Sequence, residues 1–79
     1  MDRDEVLSRF QTAVADVLEA EPADITLDKR WAEDLDADSL AIVECTLALN
    51  DEFGITIPDI EPDDVRTVAD AFDIVMNLV

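Results

Sequence analysis

The chain has no histidine. That single absence removes the commonest general base, the commonest neutral metal ligand and every Ser-His-Asp or Cys-His arrangement. Its one cysteine, Cys45, excludes an internal disulfide and fits a reducing compartment. Basic residues are few, 5 against 21 acidic ones in 79 residues, for a net charge of −16. A field of that sign repels nucleic-acid backbones and anionic membranes, keeps the chain in solution and favours partners with basic faces. No apolar run approaches membrane-spanning length. Asp2, Asp4 and Glu5 interrupt the N-terminus where a signal peptide would carry a basic flank and an apolar core. Strand alternation is also missing: Ile55-Thr56-Ile57 is too short for a sheet, and Pro58 closes it. These absences predict a cytoplasmic protein with no nucleic-acid partner, no membrane insertion, no resident metal and no catalytic machinery of its own; a monomer is expected.

What is present is a globular composition, 49% hydrophobic, in one small domain over residues 1–79, near the lower size at which a core sustains a fold. The economical fold class is all-α: a bundle of three longer helices plus one short helix. From about Asp4 to Glu19, Val6, Leu7, Phe10, Ala13, Val14, Val17 and Leu18 recur in steps of three and four, as on one face of a helix. Asp2 or Asp4 can cap it, and Pro22 is expected to end it. A second helix is predicted from Ser39 to about Glu52, with Gly54 as its stop. The third opens on a capping box, Thr67-Val68-Ala69-Asp70, and places Val68, Ala71, Phe72, Val75 and Val79 on one face. Between Pro58 and Thr67, Pro62 is placed to start one short helical turn. The expected core is Phe10, Val14, Val17, Val43, Leu49, Phe53, Ile57, Val65, Phe72 and Val75.

Residues from about Ala20 to Asp38 lack helical periodicity, and a loop of that length is uncommon unless it has a job. Ile25, Leu27, Trp31 and Leu35 are spaced along it as apolar anchors. We read it as an ordered loop, pinned across the bundle, that delivers Ser39 to one end of the second helix. It closes on an acidic run, Asp34-Leu35-Asp36-Ala37-Asp38-Ser39-Leu40, which has three readings. As a calcium loop, Asp34, Asp36 and Asp38 match the first ligand positions, but Ser39 stands where the turn needs glycine and Cys45 where a bidentate glutamate should close the cage. As plain capping, Asp38 or Ser39 starts the helix and contributes roughly 1 kcal/mol. The third reading is covalent attachment at the Ser39 hydroxyl.

The third reading rests on a resemblance. Asp34 to Ser39, continued by Leu40-Ala41-Ile42-Val43-Glu44, resembles the signature D-L-G-x-D-S-L-x-x-V-E of the acyl carrier protein family. The similarity runs along essentially the whole chain. Trp31 falls where the family has an aromatic before the motif, Phe53-Gly54-Ile55-Thr56-Ile57-Pro58 looks like its stretch after the second helix, and Thr67-Val68 like the start of its last helix. Asp36 departs from the usual glycine. Acidic residues at that place occur in some carriers of actinobacterial type, and if the backbone there needs a positive φ, aspartate tolerates it better than most residues.

The resemblance implies that Ser39 carries 4′-phosphopantetheine from coenzyme A, installed by a phosphopantetheinyl transferase that brings magnesium and the base this chain lacks. The arm's thiol, not a side chain of the protein, would then hold acyl groups as thioesters for a ketosynthase, an acyltransferase or an acyl ligase of fatty acid or polyketide assembly. A peptidyl or aryl carrier of nonribosomal synthesis is the same device with other partners; an acidic helical adaptor for basic proteins is a reading of another class, and has no use for the serine. The start of a helix suits a phosphate. Asp34, Asp36 and Asp38 oppose it, and no basic residue lies between Arg30 and Arg66, so a mobile arm is expected.

The second helix is apolar on more than one side. Val43, Cys45, Leu49 and Phe53 are expected to face inward, Cys45 as a small core side chain. Leu40 and Leu47 then either pack under the long loop or form, with Asp38, Glu44 and Asp51, a patch for basic enzyme surfaces, which Ile60 extends. The bundle itself offers a core that an acyl chain could enter.

Overall fold

The computed structural model describes residues 2–58 and 65–79. Among them are three α-helices, α1 (Arg3–Leu18), α2 (Ser39–Phe53) and α3 (Val68–Leu78), with one 3-10 turn, Pro22–Asp24, and no strand beyond an isolated bridge. The expected turn at Pro62 and Ile60 lie outside the described residues.

Each helix starts where a side chain can take a first-turn amide. Asp2 caps α1, its Oδ1 accepting from the Glu5 N–H at 2.8 Å, and Asp4 and Glu5 complement the positive end of the helix dipole. The helix stops at Leu18, before Pro22: Glu19 takes a left-handed conformation, φ 56°, as C-cap. Pro22 instead opens the 3-10 turn, where its missing N–H costs nothing. At α3 the capping box forms in full. Thr67 Oγ1 accepts from the Asp70 N–H, and Asp70 Oδ2 accepts from the N–H groups of Thr67 and Arg66.

The core is the meeting of three apolar faces: Val6, Phe10, Val14 and Ala15 of α1, Cys45 and Leu49 of α2, and Val68, Phe72 and Val75 of α3, closed by Ile57 and Val65. Phe10 and Phe72 meet edge to face, ring centroids 5.6 Å apart at 82°, the geometry their quadrupoles favour. Val17 and Phe53, expected inside, are partly buried. Two expectations fail. Val43 is 54% exposed, because it lies three residues from Leu40 and shares the outer stripe of α2; Val79 is 47% exposed, because it is the C-cap residue beyond the last turn of α3.

The long loop is ordered and pinned, as its apolar spacing predicted. Ile25 is fully buried and Trp31 only 3% exposed, while Leu27 and Leu35 pack half-buried against the core. Ala37, not anticipated as an anchor, is buried as well. The Gln11 side-chain amide donates to the Ile25 carbonyl at 2.9 Å, tying the loop to α1. An antiparallel bridge joins Arg30 to Thr67, and the Trp31 indole N–H donates to the Thr67 carbonyl at 2.9 Å. The Leu27 and Lys29 carbonyls accept from the Ala69 and Val68 amides. The loop therefore satisfies donors that a helix N-terminus leaves without intrahelical partners.

Candidate functional site

Ser39 is the first residue of α2 and is exposed. The capping work belongs to its neighbour: Asp38 Oδ1 accepts from the Ala41 N–H at 2.8 Å, and the Asp38 carbonyl accepts from the Ile42 N–H at 3.0 Å. The Ser39 hydroxyl has no hydrogen-bond partner among the described residues, so nothing in the helix start occupies it.

The approach to this serine depends on one backbone reversal. Asp36 sits at φ 54°, the left-handed region that short polar side chains tolerate. The reversal turns Ala37 inward, its N–H donating to the Trp31 carbonyl at 2.8 Å, and releases Asp38 outward to cap. Of the three aspartates that match a calcium loop, Asp34 is turned back to Arg30. It accepts from the Arg30 backbone N–H at 2.9 Å and from Nε at 3.2 Å. Those bonds, the backbone one foremost, hold its carboxyl below the usual carboxylate range. Arg30 Nη1 also pairs with Glu33 at 2.6 Å. Among the described residues no group of three or more His, Cys, Asp or Glu is arranged to hold a metal.

Beside Ser39 opens a groove of about 660 Å³. Buried Trp31, Ala37 and Val65, with half-buried Ile42, form its apolar inner wall; exposed Asp38, Ser39, Arg30, Glu33 and Arg66 form its rim. Trp31, Ile42 and Val65 also bound a small void of about 20 Å³ that reaches Cys45, Leu49 and Ile57, so the groove's wall continues into the core. Cys45 is 3% exposed, and burial, with Glu44 adding to it, pushes its thiol up to about 11. A protonated thiol in the core is neither nucleophile nor ligand.

The outer stripe of α2 carries the other expected residues. Leu40 and Leu47 are 66% and 59% exposed, which excludes their packing under the loop. Glu44 and Asp51 are exposed on the same side. At ~100° of rotation per residue, Leu40, Val43, Glu44, Leu47 and Asp51 fall within about 100° of arc, opposite buried Cys45 and Leu49. Val43 belongs to this patch; its offset of three from Leu40 was the signal that would have found it. Arg30 and Arg66 had no such signal, since only the bridge between loop and α3 brings them to the groove that Ser39 lines.

A family model described as the phosphopantetheine attachment site matches residues 8–74, which contain the acidic run, Ser39 and the capping box of α3. The acyl carrier protein of Thermosynechococcus vestitus is 42% identical over 79 residues, all of this chain and 98% of its own. That of Rubrobacter xylanophilus is 41% identical over 77 residues, 98% of this chain and 95% of its own. That of Treponema pallidum is 43% identical over 76 residues, 96% of this chain and 97% of its own. The chain belongs to the acyl carrier protein family. It is thus a carrier and not a catalyst, its cofactor is phosphopantetheine, and it works with a phosphopantetheinyl transferase and with synthase enzymes. The residues present suit that group: an exposed hydroxyl at a helix start that takes no part in the cap, and an open groove next to it. No helix among the described residues is long and apolar enough to cross a membrane.

Proposed function

We propose that Ser39 of this carrier is the attachment point of the arm, and that the outer stripe of α2 presents the arm to enzymes of fatty acid or polyketide assembly. The observation that carries the reading is the division of labour at the helix start: Asp38 caps, and the adjacent Ser39 hydroxyl stands exposed beside a groove. In the transfer, Ser39 Oγ forms a bond to the phosphorus on the pantetheine side of the coenzyme A pyrophosphate. The bond to the adenosine bisphosphate breaks and that group leaves. The hydroxyl proton passes to a base of the transferase, since this chain has no histidine. The product is a phosphodiester on Ser39 and an arm ending in a thiol.

Docking would then use Leu40, Val43 and Leu47 as the apolar centre, with Asp38, Glu44 and Asp51 around them meeting basic faces of the transferase, ketosynthase, acyltransferase or acyl ligase. Ile60 would extend the patch. In this reading residues 1–79 act as a single acyl carrier domain, in the cytoplasm and as a monomer. Cargo of any length must open the core to be sheltered there, because the void behind the groove, about 20 Å³, holds little more than a water.

The test is an intact mass. Incubated with coenzyme A and a broad-specificity transferase, the wild-type protein gains one phosphopantetheine and Ser39→Ala gains none while keeping its thermal stability. Asp38→Ala, by contrast, loses about 1 kcal/mol through the cap. A wild-type protein that stays at its unmodified mass, under conditions that load a known carrier, refutes the assignment.

A further inference from the structure

Charges counted along the sequence predict an arm repelled from its own protein. The fold changes that count. Arg30 and Arg66, which flank the long acidic stretch, are brought side by side by the Arg30–Thr67 bridge and by the Trp31 N–H bond to the Arg66 carbonyl at 3.0 Å. Both line the groove that Ser39 lines. Among the described residues, the charged ones that line it are Arg30, Arg66, Glu33 and Asp38, on a chain whose net charge is −16. The groove thus gathers two of the five basic residues of a strongly anionic protein.

We infer that Arg30 and Arg66 form an anion-binding rim for the phosphodiester carried on Ser39, so that the first part of the arm lies along the groove and does not project freely. The inference rests on Ser39 being the attachment point. The occupant fits in order as well as in having an anion for the two arginines. Its phosphate is fixed at Ser39, within the rim, and the next group outward, a carbon bearing two methyls, meets the apolar wall of Trp31, Ala37, Ile42 and Val65. Arg30 reaches the groove already oriented by Glu33 and Asp34, and a guanidinium has five donors, more than those two bonds use. The rim would set the direction in which the thiol leaves the protein, and so the side from which an enzyme collects it.

The experiment compares the apo and phosphopantetheinylated wild-type protein, labelled with nitrogen-15, with intact mass recorded on each sample. The arginine Nε–Hε signals of Arg30 and Arg66 are expected to move on modification while those of Arg3 and Arg9 stay. The phosphorus-31 transverse relaxation time is expected to lengthen in holo Arg66→Gln, and further in the Arg30→Gln/Arg66→Gln pair. Raising salt should reverse the arginine shifts. Arg66→Gln keeps the Arg30–Asp34 pair intact, and the wild-type comparison needs no variant. A full mass gain with both arginine signals unmoved, or with equal relaxation in wild type and double variant, overturns the rim and leaves Ser39 as the attachment point. No mass gain at all overturns both.

Discussion

Asp38 and Ser39 are neighbours of similar size and polarity, and the structure gives them opposite tasks. The aspartate turns its oxygen back onto Ala41, and the exposed serine hydroxyl is left out of the cap. Either residue type caps a helix well, so only the geometry assigns the roles. Cys45 shows the same logic in reverse. Its sulfur is chemically the most reactive atom in the chain, yet burial raises the thiol from 9.0 to about 11. A raised value means the folded protein holds the proton more tightly than the unfolded chain, so this stabilisation is present below 9.0 and is lost as pH rises towards about 11. Denaturation followed across that window should show stability falling, with a shallower fall in Cys45→Ala. At neutral pH a thiol reagent should label the native holo protein on the arm and leave Cys45 untouched, which peptide mapping reads directly. Cys45 was legible as a core residue from its apolar surroundings. The size of the shift was not, because it depends on how completely the other elements cover it.

Among the elements, the clasp between the loop and α3 matters most, because it fixes both the approach to Ser39 and the start of the last helix. Its centre is Trp31, whose indole N–H reaches the Thr67 carbonyl across 36 positions of sequence. Trp31→Phe keeps most of the apolar burial and deletes the donor, leaving that carbonyl without its partner. The expected cost is on the order of 1–2 kcal/mol in denaturant unfolding. The amide protons of Val68 and Ala69, which donate to Lys29 and Leu27, should exchange faster. Unchanged exchange at those two sites would show that the backbone bonds hold the clasp without the indole. The sequence revealed that this loop was anchored, because Ile25, Trp31 and Leu35 are apolar in a stretch with no helical period. What they anchor against lay beyond its reach. The end of α1 fell where its periodicity stopped, near Glu19, but the agent differs: the chain turns at Glu19 itself, before Pro22 is reached.

At the scale of the whole molecule, a net charge of −16 on 79 residues acts on folding and on association with opposite signs. Self-repulsion opposes compactness, so added salt should raise the melting temperature. Attraction to basic faces speeds encounter, so the same salt should slow loading by the transferase. Glu44→Lys, in the middle of the exposed stripe, should slow that loading and flatten its salt dependence while leaving the helix content unchanged by circular dichroism. Equal rates and equal salt slopes for Glu44→Lys and wild type would exclude the stripe as a docking face.

The helices, the capping box of α3 and the all-α class were fixed by the amino-acid order itself, because each depends on residues within about one helical turn: Asp2 with Glu5, Thr67 with Asp70, the steps of three and four along α1. The inner and outer stripes of α2 follow from the same periodicity, once Val43 is counted with Leu40. Folding decided what local order cannot express. It chose Asp38 over Ser39 as the cap, closed Trp31 onto Thr67, and carried Arg30 and Arg66 to the groove that Ser39 lines. Charges distant along a chain become neighbours only after the loop between them has closed, and that closure is driven by buried Ile25, Trp31 and Ala37 packing on the core and not by the charges themselves.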